Sequence, residues 1–500
     1  MTNDTKDVSK RGFIKVMAGS ALGGAMVAQA GHANAAEPAS GGWDDQVDVV
    51  VVGGGGAGLA AAIEAGRAGA KVVILEKTMG VGGDTFRNGG VMAGQGTRLT
   101  KAKGVDVTNE RVQQHFASVA PVLGTANPEV AHIIAEKGGE TIDWLESLGV
   151  RFTDDLVADP SYAADLRIFH QVVGGGRGYA VPMTNAAKAA GVNIMTQARV
   201  TGLVVDAGGR VVGVDIQHDG KAMRIKARKA VVLTSGGYGA NAELLELFNP
   251  SMKNLGYVCS EESVGDGLLL ALKVGAIAMR TSQGPLLVPD VEVEANNIFQ
   301  WQTMQGGGIA VGEDGKRFVN EDSSYMTGEL TTAIRNQISR QKAGNIWMIV
   351  NDSAYLKHAL EVHPVALAKG DTIAALAKAT GLDAAALKAT VDTYNQACAA
   401  KNDAAFGRKL SLIPLDKGPF YAGKVRPGVV LTTGGIKTDG RARVIRHNGV
   451  GQAGEAHGPI PGLLAAGQVV EWSAVGGWTV SGAFTMVRVA GREAAALASV

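Results

Sequence analysis

The sequence predicts an α/β protein organised around a Rossmann-like β-α-β unit, and residues 47–76, VDVVVVGGGGAGLAAAIEAGRAGAKVVILE, carry that prediction. An apolar run, Val47–Val52, has the unbroken hydrophobicity of a strand buried on both faces. An Ala-rich helix follows, then a second apolar strand over 71–75 that ends at an acid, Glu76. Between strand and helix stand Gly53, Gly55 and Gly58, the spacing G-x-G-x-x-G. With 70 glycines in 500 residues, chance alone supplies about one such spacing, so the glycines count only because of the strand, helix and acid around them. In that context they permit a tight turn, close approach of backbone to a pyrophosphate and close helix–strand packing. The helix N-terminus faces the phosphates, and Glu76 accepts from ribose hydroxyls.

The N-terminal segment has a different character. Residues 9–15, SKRGFIK, precede a weakly apolar Gly/Ala-rich stretch, Val16–Ala30, and a small-residue site, Ala33-Asn34-Ala35. The pattern resembles a twin-arginine export signal with Lys10 in place of the first arginine, so a mature periplasmic protein beginning near Ala36 is expected. The alternative is an unstructured N-terminal arm. The stretch is too short and too glycine-rich for a spanning helix, and no later segment is long and apolar enough to cross a bilayer.

Composition is that of an ordinary enzyme. Hydrophobic residues make up 46%, charged residues 19%, and the formal net charge is +1. That balance argues against nucleic acid or an anionic membrane surface as partner. The two cysteines, Cys259 and Cys398, can pair or can each serve as a small buried hydrophobe, and the second reading is adopted here. No C-x-x-C-H is present for a covalent c-type haem, and no Cys/His cluster has metal-ligand spacing.

Further along, Thr201–Ala230 alternates strand-like runs with turns at Gly208-Gly209 and Asp219-Gly220, a meander of hairpins. KAVVLTSGGYGAN (229–241) is a buried strand running into Gly236-Gly237. Gly265-Asp266-Gly267 opens an apolar helix, IPGLLAAGQVVE (460–471) is a strand running into Gly467, and Ser481–Leu497 is a final amphipathic helix. Strands that end in glycine beside a helix start form a backbone cradle for a large polar ligand.

These segments, together with GGDTFRNGGVMAG (82–94), R-x-x-H-x-x-x-G-G-G-x-G (Arg167 to Gly178), GKRFVNE (315–321) and TTGGI (432–436), resemble the FAD-binding-2 superfamily of fumarate reductase flavoproteins, flavocytochromes c and 3-ketosteroid dehydrogenases. Nine landmarks keep their order over residues 46–500. The resemblance implies FAD as cofactor and an α/β fold: a Rossmann-like FAD-binding domain with an inserted α+β cap domain. The implied division is a signal over 1–35, an FAD-binding domain over 46–281 and 430–500, and a cap over 282–429. Gly53, Gly55, Gly58 and Glu76 would hold the ADP part, and Gly83, Gly90, Gly236, Asp266, Gly467 and Gln468 the rest. Gln468 stands where the family has a glutamate.

The resemblance also separates the possible substrates. Fumarate reductases grip two carboxylates and donate a proton from an arginine. Here QGPLLV (283–288) lacks their histidine, Trp301 and Met304 replace their proton relay, Leu431 replaces a second histidine, and Thr479 replaces an arginine. A dicarboxylate would lack bidentate partners. S-Y-M after GKRFVNE instead resembles the 3-ketosteroid dehydrogenases, which implies Tyr325 as the proton-transfer residue and the Gly477 amide as donor to a ketone. Tyr162 is a candidate second phenol. Ser473 falls where those enzymes have another tyrosine, while Trp472 and Trp478 make the loop aromatic. The expected substrate is therefore a small apolar carbonyl compound, with a C=C bond formed or reduced beside the carbonyl. The alternatives are a reductase of a small unsaturated acid and a flavin-carrying electron-transfer protein. A separate electron carrier, a cytochrome or a quinone-linked protein, is the expected partner. His170 is expected to order its loop rather than transfer protons. Lys77 and Arg87 are read as solvated or phosphate-neutralising. Tyr394, at helical spacing with Leu387, Val391 and Cys398, is core, and Glu329 with Arg335 is a surface pair on a cap helix.

Overall fold

The computed structural model describes residues 42–123, 127–157, 166–253, 255, 257, 260–280, 286–289, 307–322, 329–342, 345–353, 356–357, 367–409, 411–432, 434–447, 458–471 and 478–500. The first strand, Asp45–Val52, is the centre of the main sheet. It pairs in parallel with Val72–Leu75 on one side and with Lys221–Leu233 on the other, and Pro459–Ala465 adds a further parallel strand beyond. The register aligns Val52 with Leu75 and with Leu233, and Leu233 with Ala465. With Asn193–Met195, which pairs in parallel with Val72–Leu75, five parallel strands end side by side at one edge. The chain leaves that edge at Gly53, Glu76, Thr234 and Ala466, where ligands of open α/β sheets bind. The valines of the first strand are wholly buried from Val49 to Val51, which accounts for their unbroken hydrophobicity.

The predicted meander is present: Ala198–Val205, Val211–His218 and Lys221–Leu233 are joined antiparallel. The helix Gly56–Arg67 runs from the glycine turn with Leu59 to Ile63 all buried. It lies against the last helix, Trp478–Ala496, where a Cβ at Gly491 would overlap the Ala61 carbonyl. That last helix starts three residues earlier than periodicity indicated, because Trp478 is itself buried against other rings.

A second sheet has five strands, with Leu286–Pro289, Phe420–Gly428, Ile346–Asn351 and Ile309–Val311 in that order and Ala368–Gly370 on the side. Strand alternation divides its two faces. Ala310, Met348 and Val350 join the large core, whereas Ile309, Val311 and Ile349 form a second core with Leu376, Leu387, Val391 and Tyr394. Tyr394 and Cys398 are thus core residues, as their spacing implied. Cys259 lies outside the described residues. The helix Ala384–Ala400 behind this sheet is capped by the Asp383 side chain, which accepts from Ala386 N at 2.7 Å. The helix Glu329–Arg340 is present, but the side chains of Glu329 and Arg335 are not described. Among the described residues no helix is long and apolar enough to cross a membrane.

Candidate cofactor site

The glycines at the strand edge differ in what makes them glycines. Gly53 has φ +102°, and a Cβ there would lie 2.8 Å from Ser235 Cα. At Gly58 a Cβ would overlap the Gly53 carbonyl oxygen. Both are required by the chain's own packing. Gly55 is not: its φ is −66°, ordinary for any residue, and the nearest atom to a Cβ would be Gly82 O at 3.8 Å. Its bare face is open, as the approach of a pyrophosphate requires.

Other predicted residues gather around this turn. Gly82 N donates to Gly54 O at 2.9 Å, bringing the loop 82–90 against it. Gly83 has φ +50° and faces Gly55, a Cβ there lying 3.6 Å from Gly55 Cα. Gly90, at φ +74°, is closed against Gly175, and Gly176 N donates to Asn88 O. Gly467, φ +83°, touches the helix start at Ala57, and Gly236, φ +77°, faces Ser263. Gln468 lies against Gly237 and Thr432, and its buried side-chain nitrogen has no hydrogen-bond partner among the described residues. A buried amide left without an acceptor fits a polar ligand that supplies one.

Glu76 is buried, and its carboxylate accepts from Gly54 N at 2.7 Å, Thr78 N at 2.8 Å and the Thr78 hydroxyl at 2.9 Å. Three donors leave acceptor capacity on the two oxygens for a ribose hydroxyl. Asp266 is differently placed. It opens the helix Asp266–Lys273 and is held on both oxygens, by Lys77 Nζ at 2.7 Å and Arg199 Nη2 at 2.7 Å. Lys77 also pairs with Glu262 at 3.1 Å, so the structure gives it ion-pair partners where a solvated or phosphate-facing lysine was expected. The partners lie 185 and 189 residues away in sequence, which is why no local pattern announced them.

His170 is 1% exposed. Its Nδ1 lies 3.0 Å from Ile168 O and its Nε2 2.8 Å from Thr97 Oγ1. Nδ1–H donates to the carbonyl, and Nε2 meets a hydroxyl that can serve the neutral or the charged ring. Burial pushes its pKa down to about 4, so it orders its loop. Asp84 had no assigned role, yet it accepts from Tyr257 Oη, Ser263 Oγ and Ser260 N, each at 2.7 Å, and ties the 82–90 loop to 257–263. Its position in the first turn of the 3-10 helix Gly83–Arg87 was a usable signal. Glu471 was also missed. Burial pushes its carboxyl up to about 7 against the opposing pull of Lys437.

The Trp478 ring packs within 5.2 Å of His115 and Phe116 and 5.5 Å of Phe169. It anchors the start of the last helix, whereas the sequence placed it in an aromatic loop. Tyr162, Tyr325 and Gly477 lie outside the described residues, as do Trp301, Met304, Trp472 and Ser473.

Residues 48–485 match the model of an FAD binding domain family, FAD_binding_2. A probable fumarate reductase of Shewanella frigidimarina is 32% identical over 466 residues, covering 90% of this chain and 75% of the relative. A urocanate reductase of Eggerthella lenta is 32% identical over 482 residues, with the same coverage. Among solved structures, a 3-ketosteroid-Δ4-(5α)-dehydrogenase of Rhodococcus jostii RHA1, in complex with 4-androstene-3,17-dione, superposes with a TM-score of 0.67 at 28% identity, covering 92% of this chain and 99% of that one. The open cradle, the unpartnered Gln468 amide and the match over almost the whole chain agree: the chain belongs to the FAD_binding_2 family, and it is an FAD-dependent oxidoreductase acting on CH–CH groups.

Proposed function

We propose that this enzyme forms or reduces a C=C bond adjacent to a carbonyl on a flat, weakly polar small molecule. The observation that supports this reading best is the absence of charge where dicarboxylate reductases carry it. Leu431 and Thr479, both half-buried, stand at the histidine and arginine positions. A dicarboxylate there would keep two charges without bidentate partners. His170, held neutral, leaves the proton to a phenol. In this reading Tyr325 moves the proton at the carbon α to the carbonyl, the Gly477 amide donates to the carbonyl oxygen, and Tyr162 offers a second phenol. When bound, FAD exchanges the hydride at the β carbon, the two electrons passing to or from an external carrier.

The residues proposed to hold FAD are Gly53, Gly55, Gly58, Glu76, Gly83, Gly90, Gly236, Asp266, Gly467 and Gln468. The domain division proposed is 46–281 with 430–500 for the flavin and 282–429 for the cap. The carrier proposed is a separate cytochrome or quinone-linked protein. Export by the twin-arginine pathway is proposed from SKRGFIK, and replacing Lys10-Arg11 by Gln-Gln should leave uncleaved, FAD-loaded protein in the cytoplasm. Mature protein reaching the periplasm regardless would refute it.

The second reading, reduction of a small unsaturated acid, is favoured by the two 32%-identical reductases. One experiment separates the readings. The flavin is reduced without oxygen and then mixed with 2-cyclohexenone, fumarate, urocanate or acrylate. Reoxidation by the enone is expected. Reoxidation by the acids alone establishes the second reading, and reaction with none indicates an electron carrier without its own substrate. Tyr325→Phe should lower turnover by about 10²–10⁴-fold with FAD content unchanged. A variant within about threefold of wild type removes Tyr325 from the mechanism.

A further inference from the structure

The Asp84 carboxylate reaches a segment of the chain that lies 173 to 179 residues further on. Oδ2 accepts from the Tyr257 and Ser263 hydroxyls and Oδ1 from Ser260 N, all at 2.7 Å. Three donors take most of the roughly four acceptor positions of a carboxylate, and donors to an ionised acceptor make the stronger hydrogen bonds. Both oxygens are thereby turned toward 257–263. An acid on a loop that borders a pyrophosphate site would repel the phosphates if its charge faced them.

The two sides of this knot differ. The 257–263 side is tied to the scaffold. Tyr257 pairs by its backbone with Val429, the residue after the strand Phe420–Gly428, and a Cβ at Gly239 would overlap its ring. Ala240 N donates to Ser263 O and Gly265 N to Gly237 O, both at 3.0 Å. This segment is therefore fastened to the turn that follows the strand Lys221–Leu233. The other side is the loop against the glycine turn. Gly83 is exposed and borders the bare face of Gly55, and the Thr85 side chain fills the space that a Cβ at Gly56 would need, at the start of the helix Gly56–Arg67. Asp84 stands between these two residues.

We propose that Asp84 is a positioning residue for the cofactor: by fastening 83–85 to the 257–263 segment it holds the cradle closed and sets how slowly FAD leaves. This rests on FAD lying against Gly55. The test is the exchange of bound FAD in the holoenzyme for an excess of isotopically labelled FAD. Asp84→Ala should release FAD about 10- to 100-fold faster, the weight of one or two charge-assisted hydrogen bonds. Asp84→Asn should stay within about threefold of wild type. Its oxygen accepts from Ser260 N, and its amino group donates to the two hydroxyls, each of which can turn to accept. An Asn variant as fast as the Ala variant would make charge rather than the knot the cause and overturn the proposal, as would an Ala variant at the wild-type rate.

Tyr257→Phe keeps the ring on Gly239 and removes one donor from the far side. Alone it should speed release about 3- to 10-fold, and in the Asp84→Ala background it should add nothing. Effects that multiply overturn the proposal. Hydrogen exchange of the holoenzyme supplies a local measurement. In Asp84→Ala the amides of 83–87 should exchange faster while those of the strand Lys221–Leu233 do not change, and a rise in both would mark a general loss of stability and overturn the proposal. If Gly55→Ala releases FAD at the wild-type rate, the placement of the cofactor fails, and hydrogen exchange still decides whether Asp84 holds the loop. Should Asp84→Ala not accumulate as FAD-loaded protein, Tyr257→Phe and Ser263→Ala leave the loop's own residues intact and are read in the same two ways.

Discussion

Around Gly53–Gly58 the loop is held by backbone against backbone, with Gly53 against Ser235 and Gly58 against the Gly53 carbonyl. Around Glu321–Asp322 the loop is held by charge, with two buried arginines reaching three acids. The first device works by exclusion, since no other residue fits. The second works by compensation, since each buried charge is tolerable only while its partners stay. They should fail differently, and the contrast can be tested from the largest effect downward.

Gly58→Val puts branched carbon into the Gly53 carbonyl, a backbone overlap that no rotamer relieves. Loss of folded, yellow protein is expected, read from the yield of FAD-loaded material. A normally loaded Gly58→Val protein would show that the turn yields more easily than its packing indicates. Arg408→Met removes one cation from this network and leaves Glu321 and Asp322 short of a partner. Breaking one side of a buried ion set costs about 3–5 kcal/mol, to be read from denaturant unfolding. A loss below about 1 kcal/mol would mean that the acids take up protons or water without penalty.

Two buried titratable groups on the flavin side should produce opposing pH slopes. His170 has its pKa lowered from the usual 6.5 to about 4. Its neutral-state contribution is complete above pH 6.5 and is lost as pH falls toward 4. Glu471 is raised from the usual 4.5 to about 7. Its contribution is complete below pH 4.5 and is lost as pH rises through 7. Between them the wild-type curve should be nearly flat. Glu471→Gln should therefore gain stability over wild type between pH 5 and pH 8, by roughly 2–3 kcal/mol at most. A constant difference across that range would place the Glu471 carboxylate in water.

Gly55→Ala sharpens the contrast by leaving the fold alone. Its φ is ordinary and the added methyl meets nothing nearer than 3.8 Å. Melting of FAD-free protein should shift by less than about 1 kcal/mol equivalent, while FAD retention through gel filtration falls. Because GGDTFRNGG offers no histidine for a covalent link, acid denaturation of wild type should release all the yellow cofactor to the supernatant.

What could be read in advance follows the distance along the chain. The β-α-β unit, its glycine turn and Glu76 fall within 30 residues. The meander was legible for the same reason, as was the core role of Tyr394. The loops 82–90 and 466–468 were legible as glycine-rich, but the closure of the first on Gly54–Gly55 and of the second on Ala57 and Gly237 was not. The pairing of Lys77 with Asp266 was hidden, because nothing near either residue marks a partner so far along the chain.

The sequence by itself determined the cofactor family and the parts of the cradle, because turn geometry and strand burial depend on neighbours in the chain. Only the tertiary structure decided which ionisable groups carry charge and which serve as fixtures. His170 is neutral because packing removes it from water, against the opposing pull of the Ile168 carbonyl. Arg317 and Asp403 meet across 86 residues, and Trp478 closes on Phe116 and Phe169 from two other segments. Desolvation and ion pairing depend on what surrounds a group in space, and that environment exists only once distant segments have packed.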